Sequence, residues 1–194
     1  WGLMHTWQQG RAGLLQWQQQ AGLPLLPFIA SLATPQGEPV DGGPARAQRN
    51  AVYPVADAEQ VPQALLHNLK HNQVLHVNNV LATVVVEPRP TVPEAERLVL
   101  QPLGHGFWRA QLHFGFMEPP DLPQALALAA PLGLPLPPMD TSYLLSRETL
   151  VPRSGLRHWQ QALFALMSQR AGSAARHFNL PDNAVVELGA RIRL

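Results

Sequence analysis

The sequence predicts an α/β domain in which a mixed sheet carries flanking helices, and three observations support this. Strand-like and helix-like segments interleave along the chain, as a layered α/β fold requires. Val80–Val86 is a continuous apolar, β-branched run, the pattern of a strand covered on both faces. At the C-terminal end Val186, Leu188, Ala190, Ile192 and Leu194 alternate with Glu187, Arg191 and Arg193, which marks a strand with one apolar face.

Taken in order, the elements begin with Trp1–Gln20. Here Trp7, Leu14, Leu15 and Trp17 lie in a glutamine-rich background whose only formal charge is Arg11. This reads as a helix ended by Gly22 and Pro24. It either packs on its own domain or serves as a juxtamembrane connector, with tryptophans and Arg11 near lipid headgroups. Pro35–Gln48, containing Gly42, Gly43 and Pro44, is expected to be a mobile loop. Ala51–Val55 is a short strand. Val61–His71 is a helix, with Pro62 suited to its first turn. Its periodicity puts Val61, Leu65, Leu66 and Leu69 on one side and turns His67 and His71 nearly opposite.

Arg97–Leu103 is a weaker strand pattern. Phe107–Phe116 alternates cleanly, with Trp108, Ala110, Leu112, Phe114 and Phe116 on one face and Arg109, Gln111 and His113 on the other. That is a half-buried strand, and Gly104-His105-Gly106 supplies the turn that makes the pair a hairpin. Asp121 with Pro123 opens a helix through Ala130. Ser142–Thr149 is a further strand. Leu156, Trp159, Leu163, Leu166, Met167 and Arg170 recur three or four residues apart, as on a helix facing a core.

Composition narrows the function classes. A chain of 194 residues suffices for one domain, or a domain with an arm. Charged residues make up 14%, against about 25% typically. Net charge is +1, without a Lys/Arg cluster, so tracking along nucleic acid is disfavoured. With no cysteine there is no disulfide framework, thiolate metal site or cysteine nucleophile. Prolines interrupt the two most apolar stretches, Leu23–Ala33 and Leu122–Met139, well short of the roughly 20 apolar residues a span needs. The start lacks a secretory n-region, and it opens on Trp1 rather than Met, as a fragment of a longer protein would.

The densest polar cluster is His67-Asn68-Leu69-Lys70-His71-Asn72, followed by His76. Histidines at i and i+4 suit a zinc site, but the metalloprotease pattern needs a glutamate where Asn68 stands, and no third ligand is marked. A solvated or partner-facing helix end fits better. His67, Asn68, Lys70, His71 and Asn72 are therefore the candidate regulatory or interface surface, its histidines titrating near neutrality. Gly104-His105-Gly106 is too short to cradle a phosphate, and no GxSxG elbow is present. Arg147 and Glu148, adjacent on a strand, point to opposite faces. No catalytic constellation emerges, so an enzyme is not expected.

An ordered set of motifs says more. Ala64-Leu65-Leu66-His67-Asn68-Leu69-Lys70-His71-Asn72 with Val74-Leu75-His76 resembles a signature of the KUP/HAK/KT potassium uptake transporters, in the cytosolic region after their last membrane helix. Gly104-His105-Gly106-Phe107, Phe114-Gly115-Phe116-Met117-Glu118, Asp140-Thr141-Ser142-Tyr143, Arg147-Glu148-Thr149-Leu150, Trp159 with Leu163-Phe164, and Val186-Glu187-Leu188-Gly189 follow in the family's order. The resemblance runs from about Val61 to Leu194. More loosely, Thr6-Trp7 with Gly10-Arg11, and Leu23–Leu32, are similar to the family's lead into this region. Two departures stand out. Arg49-Asn50 replace the usual Gly-Thr before Ala-Val-Phe, here Ala51-Val52-Tyr53, and Ser146 replaces a common glycine before Arg147-Glu148-Thr149. Arginine lacks glycine's access to positive φ.

The resemblance implies a parent that imports potassium across the plasma membrane (the inner membrane of a bacterium) by proton symport, its ion path in a membrane domain of the same polypeptide. Residues 1–48 would be the juxtamembrane helix and connector, and 49–194 a cytosolic, universal-stress-protein-like α/β domain. It would regulate or assemble the transporter as a homodimer and, by family analogy, take an adenine nucleotide such as cyclic di-AMP. The alternative is a free-standing nucleotide-binding stress-type protein.

Overall fold

The computed structural model describes residues 22–32, 43–151 and 177–193, apart from the side chains of 147–151 and 189–193. The expected helices over Trp1–Gln20 and Leu156–Arg170 lie outside these residues. So does most of the expected loop.

A six-stranded sheet organises the chain. Its strands are β1 (Ala45–Pro54), β2 (Val74–Glu87), β3 (Leu98–Gly104), β4 (Phe107–Gly115), β5 (Thr141–Val151) and β6 (Val185–Arg193). The spatial order is β3-β4-β2-β1-β5-β6. All neighbours are parallel except the β3–β4 pair, so the sheet is mixed, as expected. From β1 the chain builds outward first to β2 and β4, then returns to β5 and β6. The order therefore reverses between β1 and β5.

Alternation sends neighbouring β1 residues to opposite cores. Ala51 and Tyr53 join Leu75, Leu81 and Phe107 beneath helices α1 (Leu25–Ser31) and α2 (Gln63–Asn72). Val52 joins Val80, Ala110, Leu112 and Phe114 beneath α3 (Leu122–Ala127). Helices on both faces explain why the middle of β2 is uniformly apolar. Part of the N-terminal connector is integral to this packing: Leu25 and Ile29 of α1 are buried in the core, and the Leu25 N–H donates to the Glu59 carbonyl.

Several boundaries move. β1 begins at Ala45, so 45–48 is strand rather than loop, because it pairs with Val74–His76 of a longer β2. The ladder steps from Ala47↔His76 to Asn50↔Asn78, so Gln48 and Arg49 together oppose Val77 in a bulge. Arginine at position 49 thus needs no positive φ. Pro62 is the N-cap of α2, not part of its first turn. Asp121 caps α3, accepting from the Gln124 N–H at 2.9 Å. That helix ends at Ala127, short of Ala130, and a 3-10 turn at Ala130–Leu132 follows. β4 ends at Gly115, where the Phe116 N–H turns to the Arg89 carbonyl. Phe116 is consequently exposed, not core-facing.

The hairpin tip is as expected. His105 and Gly106 both take positive φ, matching a two-residue turn whose twist suits the strands. At Gly106 the demand is double, because a side chain would also overlap the Val77 carbonyl. The tip docks there, with the Asn79 N–H donating to the Gly106 carbonyl at 2.7 Å.

Tyr53 is fully buried, and its hydroxyl has no hydrogen-bond partner among the described residues. Burial pushes its pKa up. A buried, unpaired hydroxyl costs about 1–3 kcal/mol. Tyr53→Phe is therefore expected to raise stability by about 1 kcal/mol, read as a higher urea midpoint with unchanged slope. A lower midpoint would show that the hydroxyl is satisfied.

Candidate functional site

The β1–α2–β2 crossover sets the candidate surface. α2 runs back along the sheet, so its last turn arrives at the end where β1 and β2 begin. Gln73 closes the helix in the left-handed conformation, and its carbonyl accepts from the Ala45 N–H at 2.9 Å. Ala64 and Leu65 are buried, and Leu66 and Leu69 pack beside them.

His67, Lys70, His71 and Asn72 lie on the outer side. The His67 and His71 rings stack with centroids 5.8 Å apart and 23° between planes. Asn68 departs from the expected surface. It is buried, its amide donating to the Val74 carbonyl at 2.9 Å while its oxygen accepts from the Asn72 amide at 2.8 Å. Asn68 thus ties the helix end to the start of β2, a structural role. Among the described residues no three His, Asp or Glu side chains converge as a metal site requires.

The surface continues beyond α2 through residues that the sequence did not assign to it. Arg46 donates to the His76 carbonyl at 3.2 Å and reaches the hairpin tip beside His105. Arg49 donates to the Met139 carbonyl at 2.7 Å. Burial, then the Arg49 cation, lowers the His76 pKa. Beneath them lies an asparagine network. Asn78 donates to Asn50 at 2.8 Å and accepts from the Trp108 indole at 3.4 Å, while Asn79 folds back onto the His76 carbonyl at 2.8 Å. Asparagine is depleted in strands, so three of them flanking apolar runs were the available signal.

The opposite end of the sheet carries a second polar assembly. Glu118 accepts from Arg97 at 2.7 and 3.1 Å, from the Gly115 N–H at 2.6 Å and from the Val92 N–H at 3.0 Å. The Arg97 hydrogen bonds, then the Gly115 amide, hold the carboxyl down at about 2. The guanidinium also lies 4.9 Å over the Phe114 ring. Beside the clamp an open depression of about 430 Å³ is lined by Glu94, Pro119, Gln124 and Leu128. The Glu118 contacts with Arg97 and Val92 tie separate chain segments together, so the assembly locks the end of the hairpin. The Gly104–Gly106 segment is a turn; Asp140 ends a 3-10 turn, and Thr141-Ser142 already belong to β5, with Thr141 donating to the Pro137 carbonyl at 2.9 Å.

Fold and site together define a doubly wound α/β domain with a cationic, histidine-rich end. The chain belongs to the K+ potassium transporter C-terminal domain family, whose model matches residues 48–194. It is 46% identical, over 194 residues, to the "Probable potassium transport system protein Kup 2" of Albidiferax ferrireducens. Identity to the "Probable potassium transport system protein Kup" is 45% for Pseudomonas syringae pv. tomato and 46% for Pseudomonas aeruginosa. In each case 99% of this chain is covered but only 30% of the relative. These relatives are named as transport proteins, not enzymes. No solved structure matches. Among the described residues no helix is long and apolar enough to cross a membrane.

Proposed function

We propose that this chain is the water-facing domain of a potassium uptake transporter, regulating or assembling it from the cytosolic side of the membrane. The observation that carries this reading is the family match from residue 48 to 194. Coverage of 30% of each relative supports a parent in which the remaining length holds the ion path and performs potassium:proton symport. Residues 1–48 then lead from the membrane into the domain, and a twin subunit completes a homodimer.

The strand order supports a universal-stress-protein-like arrangement, because it reverses at β1. Open α/β sheets take ligands beyond the carboxyl ends of strands at such a reversal. An adenine nucleotide such as cyclic di-AMP is the proposed regulator there. Val55-Ala56-Asp57 follows β1 without a glycine-rich phosphate loop, so a nucleotide would need side-chain recognition of its anion.

Potassium uptake by the parent, with and without this domain, tests the reading. In a host lacking its own uptake systems, the intact parent is expected to restore growth at low potassium, and domain deletion to reduce or deregulate uptake. A parent that imports no potassium overturns the proposal. The α2 surface has its own test. His67→Ala/Lys70→Ala/His71→Ala is expected to leave the domain folded, since these side chains are outward, while changing uptake or dimerisation at least about twofold. Unchanged uptake and assembly remove that face from the function.

A further inference from the structure

Among the described side chains, charge is segregated along the strand direction, although net charge is only +1. Asp57 and Glu59 follow the end of β1, and Glu87 closes β2. Glu94 and Glu96 precede β3, and Glu118 follows β4. Among the residues whose side chains are described, three arginines near this end are each committed to one of these carboxylates, in the pairs Arg89–Glu96, Arg97–Glu118 and Arg109–Glu59. His113 likewise pairs with Glu87 at 2.7 Å. Among the described side chains, acid is in excess here.

The opposite end has the reverse character. Arg46, Arg49 and Lys70 have no carboxylate within ion-pair distance among the described residues, and both arginines bond only backbone carbonyls. The elements bearing them are contiguous. The last turn of α2 joins β1 through the Gln73–Ala45 hydrogen bond, and Arg46 bridges β1 to β2 and the hairpin tip. His67, His71, His76 and His105 lie on the same elements. Among the described residues, Asp140 and Asp182 are the acids at this end. Asp140 borders the patch beside Arg49, and Asp182 precedes β6, beyond β5.

Apolar side chains stand among the cations. Met139, whose carbonyl Arg49 holds, is 80% exposed, and Val77, in the bulge opposite Arg49, is also exposed. Cations interspersed with projecting apolar side chains suit the headgroup region of an anionic bilayer. We infer that the Arg46–Arg49–Lys70 end of the sheet docks against an anionic lipid surface, turning the acidic end away from it. The two ends act together, since anionic lipid attracts one and repels the other. Three cations give only weak binding alone, but a tether to a membrane part converts weak binding into occupancy through effective concentration. That tether rests on the proposed function, whereas docking chemistry belongs to this chain alone.

Sedimentation of the 194-residue chain with vesicles tests the inference. Binding is expected to phosphatidylcholine vesicles carrying roughly one-third phosphatidylglycerol, not to phosphatidylcholine alone. It should vanish at about 0.5 M salt, where screening reaches only a few ångströms. Arg46→Gln/Arg49→Gln/Lys70→Gln is expected to weaken binding at least about tenfold. Gln101→Glu/Gln124→Glu/Ala127→Glu makes the same net charge change elsewhere and should weaken it far less; circular dichroism checks that both variants fold. Equal weakening by both variants would show that net charge, not this end, governs binding. No binding, equal binding to neutral vesicles, displacement by millimolar inorganic phosphate, or preference for RNA over vesicles would each overturn the inference. None of these outcomes bears on whether the parent imports potassium, which the uptake experiment decides.

Discussion

Gly115→Ala is expected to cost about 3 kcal/mol or more, the upper range for forcing atoms into packed structure. Gly115 closes β4, and the 88–92 segment crosses directly over it. An added methyl would overlap the Pro90 carbonyl and the Thr91 amide. These are backbone atoms, which cannot rotate aside as a side chain can. They are also held in place, because the Phe116 and Met117 N–H groups donate to the Arg89 and Pro90 carbonyls at 3.0 and 3.2 Å. Relief would break those bonds or displace Glu118, whose carboxylate accepts from the Gly115 N–H. Gly104→Ala is the control. Gly104 has φ of +89° but nothing within 4 Å of an added methyl, so only backbone strain of about 1–2 kcal/mol is expected. Urea midpoints of the two variants separate collision from strain. Equal losses would mean that the 88–92 segment yields freely.

The same motif shows where sequence reasoning stops. Phe114-Gly115-Phe116-Met117-Glu118 was legible as a family string, and Phe107–Phe116 as a strand by its alternation. Nothing in either pattern says that Glu118 closes on Arg97, because the two residues, 21 positions apart, meet only after the hairpin forms. β2 shows a similar limit. Its β-branched middle read as a doubly covered strand, but His76, Asn78 and Asn79 broke the apolar pattern and hid its first turn of pairing. The signal that fixes it is the ladder to Ala45–Ala47, which is tertiary.

On α2, periodicity put His67 and His71 outward correctly, since their partner is solvent and each other. It misplaced Asn68, whose amide finds the Val74 carbonyl six residues later. Hydrophobicity ranks asparagine with the exposed residues, whereas a satisfied hydrogen bond is what lets a polar group be buried. Arg46 was unreadable for a related reason. Its segment looked like loop, and only strand pairing brings it beside the helix end and the hairpin tip; Arg49 stood out only as a departure from the family pattern.

Acid is expected to destabilise the domain through Glu118, and Glu118→Gln should abolish that part of the pH dependence. The sign follows from the shift. The folded carboxyl titrates at about 2, below its ordinary 4.5, so the unfolded chain takes up the proton first. Stability from this group is complete above pH 4.5 and is lost as pH falls towards 2. Arg97 makes the loss more than electrostatic. Its guanidinium also donates to the Val92 carbonyl at 2.7 Å, so protonating Glu118 loosens the same crossing segment that lies over Gly115. Glutamine keeps the carbonyl acceptor but not the charge, so it should weaken the clamp without emptying it. Above pH 5 the variant should unfold at lower urea than the parent sequence, and the two midpoints should converge as pH approaches about 2. Salt separates this pair from the exposed Arg89–Glu96 bridge, which screening weakens more. Arg89→Gln should therefore shift the midpoint little. Midpoints that stay parallel across the whole pH range would mean that the carboxylate is not held by Arg97, and the hairpin end would need another lock.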